Sequence, residues 1–204
     1  MSRDPRTGNT MIAPRGPCPV LFGLRARKSD VANDAACHLL ESSSTERNSG
    51  MRVFTTNQAS DDHLGDDLCD VVIETEILSR GAVVINCEQN KLLAFSESGD
   101  IKLLAQWLIK SDKIRFNGLK NEDGVYHLER LKIDKSSVLK ERPHCIKCNV
   151  RMKSMGQNQP VRCPKCRTRS EQKWIETPRV PPTLDWVQAP LDSRRHLTRP
   201  LEWN

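Results

Sequence analysis

The chain has 204 residues, of which 37% are hydrophobic and twelve are proline, so it can form one ordinary domain or two small ones with modest cores. Its formal net charge is +6 at pH 7, and no apolar run approaches the roughly 20 residues of a membrane-spanning helix. Because the N-terminus also lacks the apolar core of a signal peptide, the sequence argues against a membrane or secreted protein, and we expect a reduced, cytoplasmic one.

The first part of the chain predicts a small mixed α/β unit after a disordered lead-in at residues 1–12. An apolar run at Val20–Arg25 predicts a short buried strand, and Ser29 can cap a helix that extends to about residue 41. Arg52–Asn57 predicts a second strand. Residues 13–64 are too few to bury both faces of such a unit, so we expect them to be a piece of a larger domain.

Residues 68–136 have the pattern of a small β-barrel. Apolar or alternating runs separated by turn signals lie at Val71–Leu78, Ala82–Cys87, Leu92–Phe95, Ile101–Leu104, Ile114–Leu119 and Tyr126–Ile133. Gly81, early in a long first strand, suits a bulge that lets a barrel curl. About five strands in about 65 residues match an OB-type barrel. Its few aromatic residues are expected to pack mostly in the core.

Two Cys-x-x-Cys pairs separated by fourteen residues lie in the segment 140–172. Two residues between cysteines let both sulfurs of a pair point at one ion, and the intervening segment can form a hairpin that returns the second pair. Asn149 follows the first pair, where a left-handed turn is often needed. The alternatives are two disulfides or redox-active dithiols, but disulfides need an oxidising compartment. The spacing predicts a zinc ribbon with a structural Zn²⁺ ion, since four thiolates leave no open coordination position. The predicted ligands are Cys145, Cys148, Cys163 and Cys166.

The segment around these cysteines is strongly basic. From Lys140 to Lys173 there are ten Lys or Arg and two acids, a net charge of +8 in 34 residues. Such a density on a small module is typical of binding to phosphate backbones. The alternative is a solubilising surface, which usually mixes signs. The candidate nucleic-acid-binding residues here are Lys147, Arg151, Lys153, Arg162, Lys165, Arg167 and Arg169.

Residues 173–204 are predicted to be a C-terminal tail that begins as a Pro-bearing linker. Its last part is basic, with apolar anchors at Leu197 and Leu201. Two interpretations are open: a packed C-terminal arm, or a phosphate contact through Arg194 and Arg195.

Four unusual strings occur in a characteristic order. They are Ala13–Arg25, Phe54–Leu64, Cys145–Cys166 with Arg151–Ser154 between the pairs, and Ser193–Leu201. In this order they resemble the C-terminal part of the archaeal-type tRNA(Ile) 2-agmatinylcytidine synthetase family. The first string looks like a loop and strand of its ferredoxin-like domain, and the second is similar to its TNQGTDAHL stretch. The third looks like its zinc ribbon and the fourth like its tail. Ala59 stands where the family typically has Gly.

The resemblance implies a mainly β fold: an OB-fold barrel plus a zinc ribbon, preceded by a partial ferredoxin-like α+β remnant. A complete family enzyme has an N-terminal kinase-like domain, activates the wobble cytidine of a minor isoleucine tRNA with ATP and joins agmatine to it. The OB fold and ribbon belong to tRNA recognition, and the ferredoxin-like region borders the agmatine pocket. By position, the agmatine-pocket candidates are Asn57, Gln58, Asp61 and His63. An acid facing a dicationic amine is favourable electrostatics, although an Asp-x-His in a loop is more often a turn or capping element.

No Gly-rich phosphate loop is present, because Gly16, Gly23 and Gly50 are isolated. We therefore assign no catalytic residue and expect the chain to be inactive alone. ATP and agmatine are expected only in a complete family enzyme, to which a separate kinase-like subunit would contribute. The expected partner is tRNA. The alternative is a general nucleic-acid-binding or protein-interaction scaffold without catalytic activity.

Overall fold

The computed structural model describes residues 23–43 and 47–203. The chain divides into two units, residues 1–64 with 191–204 and residues 65–190. In the described residues, no helix is long and apolar enough to cross a membrane. The helices and strands are α1 (Ser29–Leu40), β1 (Leu68–Ile77), β2 (Val83–Cys87), β3 (Lys91–Ala94), α2 (Asp100–Trp107), β4 (Lys113–Lys120), β5 (Val125–Lys135), β6 (Leu139–Glu141), β7 (Lys153–Ser154), β8 (Val161–Arg162), β9 (Arg169–Ser170), β10 (Ile175–Thr177), β11 (Val187–Gln188) and a 3₁₀ turn (Leu201–Trp203).

Helix α1 of the first unit begins at Ser29, close to the prediction. Lys28 occupies the cap position, and no side-chain hydrogen bond caps the helix, so the predicted capping role of Ser29 is wrong. Ala36 is buried, and Ala32 and Leu39 are half-buried. This spacing of three and four residues gives α1 one narrow inward face made largely of alanine.

The predicted strand at Arg52–Asn57 is wrong, because residues 51–57 are in no strand. Phe54 leaves 69% of its surface exposed, and Met51 and Val53 are exposed as well. A strand exists only where a neighbour pairs with its backbone groups, and no described segment pairs with this one. The predicted lead-in at 1–12 and the first half of the predicted strand at Val20–Arg25 lie outside the described residues. The second half of that run, residues 23–25, is in no strand.

Strands β1 to β5 close into a barrel. β2 pairs antiparallel with β1 and with β3. β3 then pairs in parallel with β5, and β4 pairs antiparallel with both β5 and β1. This order, which returns to β1 and places a helix between β3 and β4, is the topology of an OB fold. The predicted OB-type barrel is therefore confirmed.

The barrel encloses the larger apolar core. The predicted run Ile101–Leu104 does not continue the sheet but lies in α2, where Ile101, Leu104 and Ala105 are buried at helical spacing. The buried residues of the core are Val72, Val83, Ile85, Cys87, Leu92, Ala94, Ile101, Leu104, Ala105, Leu108, Ile114, Phe116, Leu128, Leu131, Ile133 and Ala189.

Irregularities in the strands fall at positions other than the predicted one. The register of β1 against β2 shifts between Val72 and Glu74. Gly81 lies after the end of β1 with φ 82°, so its predicted place as a bulge within the strand is wrong. The register of β4 against β5 shifts between Lys113 and Ile114 and again between Asn117 and Gly118. At the latter shift the two strands are so close that a Cβ on Gly118 would lie 2.2 Å from the carbonyl oxygen of His127. Glycine is therefore required at position 118.

Two small sheets follow the barrel in the second unit. β7, β8 and β9 form a three-stranded antiparallel sheet. β6 and β10 pair with each other to form a two-stranded sheet, which we call the arm, and all six of its residues are exposed. β11 then extends the barrel sheet by pairing with β5.

A buried ion pair joins the segment after the ribbon to the barrel. Arg179 Nη1 donates to both carboxylate oxygens of Asp112 at 2.9 Å, and its Nη2 donates to the carbonyl oxygen of Trp107. The guanidinium lies 3.6 Å from the centroid of the Trp107 ring. Asp112 also accepts hydrogen bonds from the Ile109 N–H and from the N–H and hydroxyl of Ser137. The predicted linker is thus fixed to the barrel at one buried point.

Candidate metal centre and nucleic-acid interface

The four predicted zinc ligands lie on two equivalent turns. In the first turn the Asn149 N–H donates to the Cys145 carbonyl oxygen at 2.8 Å, and in the second the Arg167 N–H donates to the Cys163 carbonyl oxygen at 3.0 Å. Asn149 has φ 50° and Arg167 has φ 63°, both in the left-handed region. The left-handed turn predicted at Asn149 is confirmed. The sequence does not predict the one at Arg167, because arginine gives no such signal.

These turns bring the four sulfurs together. All four Sγ atoms lie within 4.8 Å of one another, and those of Cys145 and Cys166 are 3.4 Å apart. Four sulfurs at about 2.3 Å from a tetrahedral zinc ion lie about 3.8 Å apart, so the cluster fits Zn²⁺. The cysteines are free thiols, which excludes the two-disulfide alternative in this structure. The cluster therefore has the ligands and the spacing of a structural zinc site.

The surroundings of Cys148 and Cys166 shift the pKa values of these two thiols in opposite directions. The hydrogen bond between Cys166 and the Thr168 hydroxyl, 3.1 Å long, is the main cause that lowers the pKa of Cys166 to about 6. The hydrogen bond to the Cys166 sulfur, followed by burial, raises the pKa of Cys148 to about 12. Four neighbouring thiolates repel one another, so a cation is needed for all of them to ionise together. A Zn²⁺ ion held by the four cysteines would supply that charge.

The other described cysteines lie apart from this cluster. Cys37 and Cys69 are exposed, and Cys87 is buried in the barrel. Burial, and then the charge of Asp70, raise the pKa of the Cys87 thiol to about 12. These three residues are therefore a small buried apolar group and two surface thiols, as their scattered spacing predicts.

Most of the predicted cations of the ribbon are exposed. Arg151 is exposed but forms an ion pair with Glu141 at 3.1 Å, and Arg162 is half-buried. No Asp or Glu occurs anywhere from residue 142 to residue 170. The exposed candidates are Lys147, Arg151, Lys153, Lys165, Arg167 and Arg169.

The basic tail packs against a loop of its own unit. Arg199 donates from Nε to the carbonyl oxygen of Ala59 at 3.2 Å and from Nη2 to that of Ser60 at 2.9 Å. Its backbone N–H donates to Asp61 Oδ1 at 2.7 Å. We call this set of bonds, between residues 59–63 and 196–199, the loop–tail contact.

Backbone hydrogen bonds strengthen the loop–tail contact. The N–H groups of Ala59 and Asp61 donate to the carbonyl oxygens of His196 and Leu197, each at 2.9 Å. The structure thus supports the packed-arm interpretation for this part of the tail. Of the two predicted phosphate contacts, Arg194 is buried, with 9% of its surface exposed, and Arg195 is exposed.

The four agmatine-pocket candidates lie in one loop but in two environments. Asn57 and Gln58 are exposed. Asp61 is half-buried in the loop–tail contact, and His63 Nε2 is 3.3 Å from the hydroxyl of Thr198. The carboxylate of Asp61 thus organises the tail, which no local sequence signal indicates, because 138 residues separate Asp61 from Arg199.

Ala59 is strained, and we expect the substitution Ala59→Gly to stabilise the first unit. Ala59 has φ 57°, in the left-handed region that its Cβ disfavours. Glycine relieves the strain but also raises the conformational entropy of the unfolded chain, which offsets part of the relief. We expect the free energy of unfolding to rise by about 0.5–1 kcal/mol in total. Urea unfolding monitored by amide hydrogen exchange in residues 59–64 measures it.

The control for this substitution is Ala35→Gly within α1, which should cost about 1 kcal/mol because a helical alanine is removed. If Ala59→Gly destabilises the unit as Ala35→Gly does, the left-handed conformation at position 59 is not the source of strain.

Two domain families match the sequence: the TiaS FLD domain over residues 1–63 and the TiaS C-terminal zinc ribbon domain over residues 142–180. The tRNA(Ile) 2-agmatinylcytidine synthetase TiaS of Archaeoglobus fulgidus is 28% identical over 92% of this chain and 48% of its own length. That of Methanosarcina acetivorans is 30% identical over 94% of this chain and 48% of its own length. The chain spans about half the length of these relatives.

Solved structures of TiaS are similar along nearly the whole chain. The complex of TiaS with an isoleucine tRNA and ATP superposes with a TM-score of 0.73 at 26% identity, and apo TiaS with 0.69 at 25% identity. Each covers 98% of this chain, which in turn covers 51% and 52% of those chains. The two domain matches and these similarities show that the chain belongs to the TiaS family, of which it carries the FLD domain, the OB-fold barrel and the C-terminal zinc ribbon domain.

Proposed function

We propose that the chain is the tRNA-binding portion of a tRNA wobble-cytidine agmatine-conjugating synthetase. The observation that carries this proposal is the stretch from 142 to 170, which is free of acidic residues and presents six exposed cations around a zinc-stabilised fold. Phosphate oxygens are the natural partners of such a surface, since lysine and arginine neutralise them and release counterions. The tRNA present in the solved complex of a relative supports the same choice of partner. A cytoplasmic location follows from this role.

Binding to a transcript of the minor isoleucine tRNA is expected to depend steeply on salt. The logarithm of the affinity should fall by about 0.7–0.9 units per contacted phosphate for each tenfold rise in salt. The substitution Lys165→Ala should reduce that slope by about one contact. Fluorescence anisotropy across a salt series, with an unrelated tRNA in parallel, measures both the slope and the preference.

Arg115→Ala is the matched control, because Arg115 is a barrel cation already paired with Asp134 at 3.1 Å. It should leave the slope unchanged. An affinity for tRNA that does not change between low and moderate salt would refute the proposed tRNA-binding function. Equal binding to the isoleucine tRNA, the unrelated tRNA and heparin would instead support the general scaffold without catalytic activity.

We also propose that the chain completes a catalytic site together with a kinase-like region that binds ATP, whether that region is covalently attached or a separate subunit. Of the four pocket candidates, Asn57 and Gln58 have exposed side chains that are accessible to agmatine, whereas Asp61 would act by holding the tail. Incorporation of labelled agmatine into tRNA only when both parts are present tests this. Unchanged incorporation after Asn57→Ala and Gln58→Ala would remove the two residues from the pocket.

A further inference from the structure

The arm has two chemically different faces. In its antiparallel register Ile175 lies opposite Glu141 and Glu176 opposite Lys140. Extended by one residue beyond the ends of the two strands, the same register would place Trp174 opposite Arg142. Because side chains alternate between the faces of a strand, Lys140, Arg142, Trp174 and Glu176 share one face.

Contacts between these side chains agree with that register. Lys140 Nζ is 2.8 Å from Glu176 Oε1, and the Arg142 guanidinium lies 3.8 Å from the centroid of the Trp174 ring. Arg142 Nη1 also donates to the carbonyl oxygen of Lys173 at 3.0 Å, which fixes the guanidinium over the ring. The indole is thus held in one orientation by a neighbour that is itself anchored to the backbone.

Trp174 is nevertheless exposed over 45% of its surface. Both acidic residues of the arm form ion pairs, Glu141 with Arg151 at 3.1 Å and Glu176 with Lys140. Arg142 forms no ion pair within the described ranges 23–43 and 47–203, so its charge is uncompensated. An ordered, exposed indole beside an uncompensated cation attracts a planar ring that carries a phosphate, which describes an unpaired nucleotide.

We propose that Trp174, supported by Arg142, is a stacking site for an unpaired nucleobase of RNA. This inference rests on the proposed RNA-binding function and adds to it a site outside the ribbon sheet. Stacking requires an accessible base face, so the site discriminates unpaired nucleotides from a continuous duplex, whose base faces are covered. The cations of the ribbon bind phosphates of either form.

The test uses the zinc-loaded full chain with two fluorescein-labelled probes, an unstructured RNA oligonucleotide and a blunt-ended RNA duplex of the same length. We expect Trp174→Ala to lower the affinity for the single strand by about 5- to 160-fold, the range of one lost base–aromatic stack. The affinity for the duplex should change less than about twofold, and the salt slope should not change. Trp174→Phe keeps an aromatic face and should retain most of the single-strand affinity.

Intrinsic fluorescence gives a second measurement that does not depend on Trp174→Ala folding. The single strand should quench tryptophan emission of the native chain, and Trp174→Phe should lose that quenching. Zinc content and the thermal unfolding of each variant are measured alongside. Equal losses for single strand and duplex, or quenching that is as large in Trp174→Phe as in the native chain, would overturn the proposal. If the native chain binds neither RNA, the proposed function fails as well, whereas tight native binding that Trp174→Ala leaves unchanged refutes the stacking site alone.

Discussion

Removal of zinc by a chelator, or the substitution Cys145→Ser, is expected to unfold the ribbon and leave the barrel folded. The ribbon contains only a small apolar core, in which Met152 and Val161 pack with the buried ligands Cys145 and Cys163. Its strands are two residues long. A structural zinc ion contributes about 10–16 kcal/mol of apparent binding free energy in small domains, far more than such a core supplies. The barrel has its own core and no part in the metal site.

Hydrogen exchange with mass spectrometry measures this result by region. Peptides from residues 142–170 should lose protection when zinc is removed, while peptides from β2 and β5 should keep it. The affinity for tRNA should also decrease when the ribbon unfolds. Cys69→Ser is the matched control, because Cys69 is an exposed cysteine outside the cluster and its replacement should leave zinc content unchanged. A ribbon that stays protected after zinc is removed would mean that its fold does not depend on the metal.

The substitution Arg179→Ala is expected to destabilise the second unit by about 3–5 kcal/mol, the range for breaking a buried ion pair. Asp112 is fully buried, and Arg179 keeps 9% of its side-chain surface exposed. Without the guanidinium, the Asp112 carboxylate would remain buried with only the hydrogen bonds from Ile109 and Ser137. The Trp107 ring would also lose its stacking partner. Urea unfolding of the zinc-loaded chain, monitored in the barrel, gives the change.

Two further variants separate charge from geometry in this ion pair. Arg179→Lys keeps the positive charge, but lysine cannot bind Asp112 and the Trp107 carbonyl oxygen through two separate nitrogens and cannot stack on the Trp107 ring. We therefore expect an intermediate loss of stability. Arg115→Ala breaks the exposed ion pair with Asp134, whose side chains are 43% and 28% exposed, and should cost about 0–1 kcal/mol. If Arg179→Ala costs no more than Arg115→Ala, the buried pair does not hold the segment after the ribbon to the barrel.

The zinc site and the barrel could be predicted from the sequence because their signals are local. The two Cys-x-x-Cys spacings define the ligands, and alternating apolar residues locate the strands. Helix α2 is not evident from the sequence, because Ile101 and Leu104 belong to a run too short for its period to be identified. Ala105 completes the helical spacing, but a four-residue window does not include it.

The remaining features depend on contacts between distant residues. Residues 52–57 have strand-forming side chains, but a strand also needs a paired neighbour, and the described chain supplies none. Arg179 looks like one more cation in a linker until Asp112, 67 residues earlier, is placed beside it. The positive φ of Ala59 is likewise visible only in the structure, although the glycine typical of the family at that position suggests it.

The loop–tail contact has a consequence for folding during synthesis. When Asp61 has left the ribosome, Arg199 is still 138 residues away, whereas the five barrel strands β1 to β5 lie within residues 68–135 and the three strands of the ribbon within residues 153–170. Contacts that close long loops form late, because the chain entropy they cost must be met before they stabilise anything. The loop at 59–63 is therefore translated first and ordered last, so a nascent chain that stops before residue 196 would carry a finished barrel and a loop without its tail.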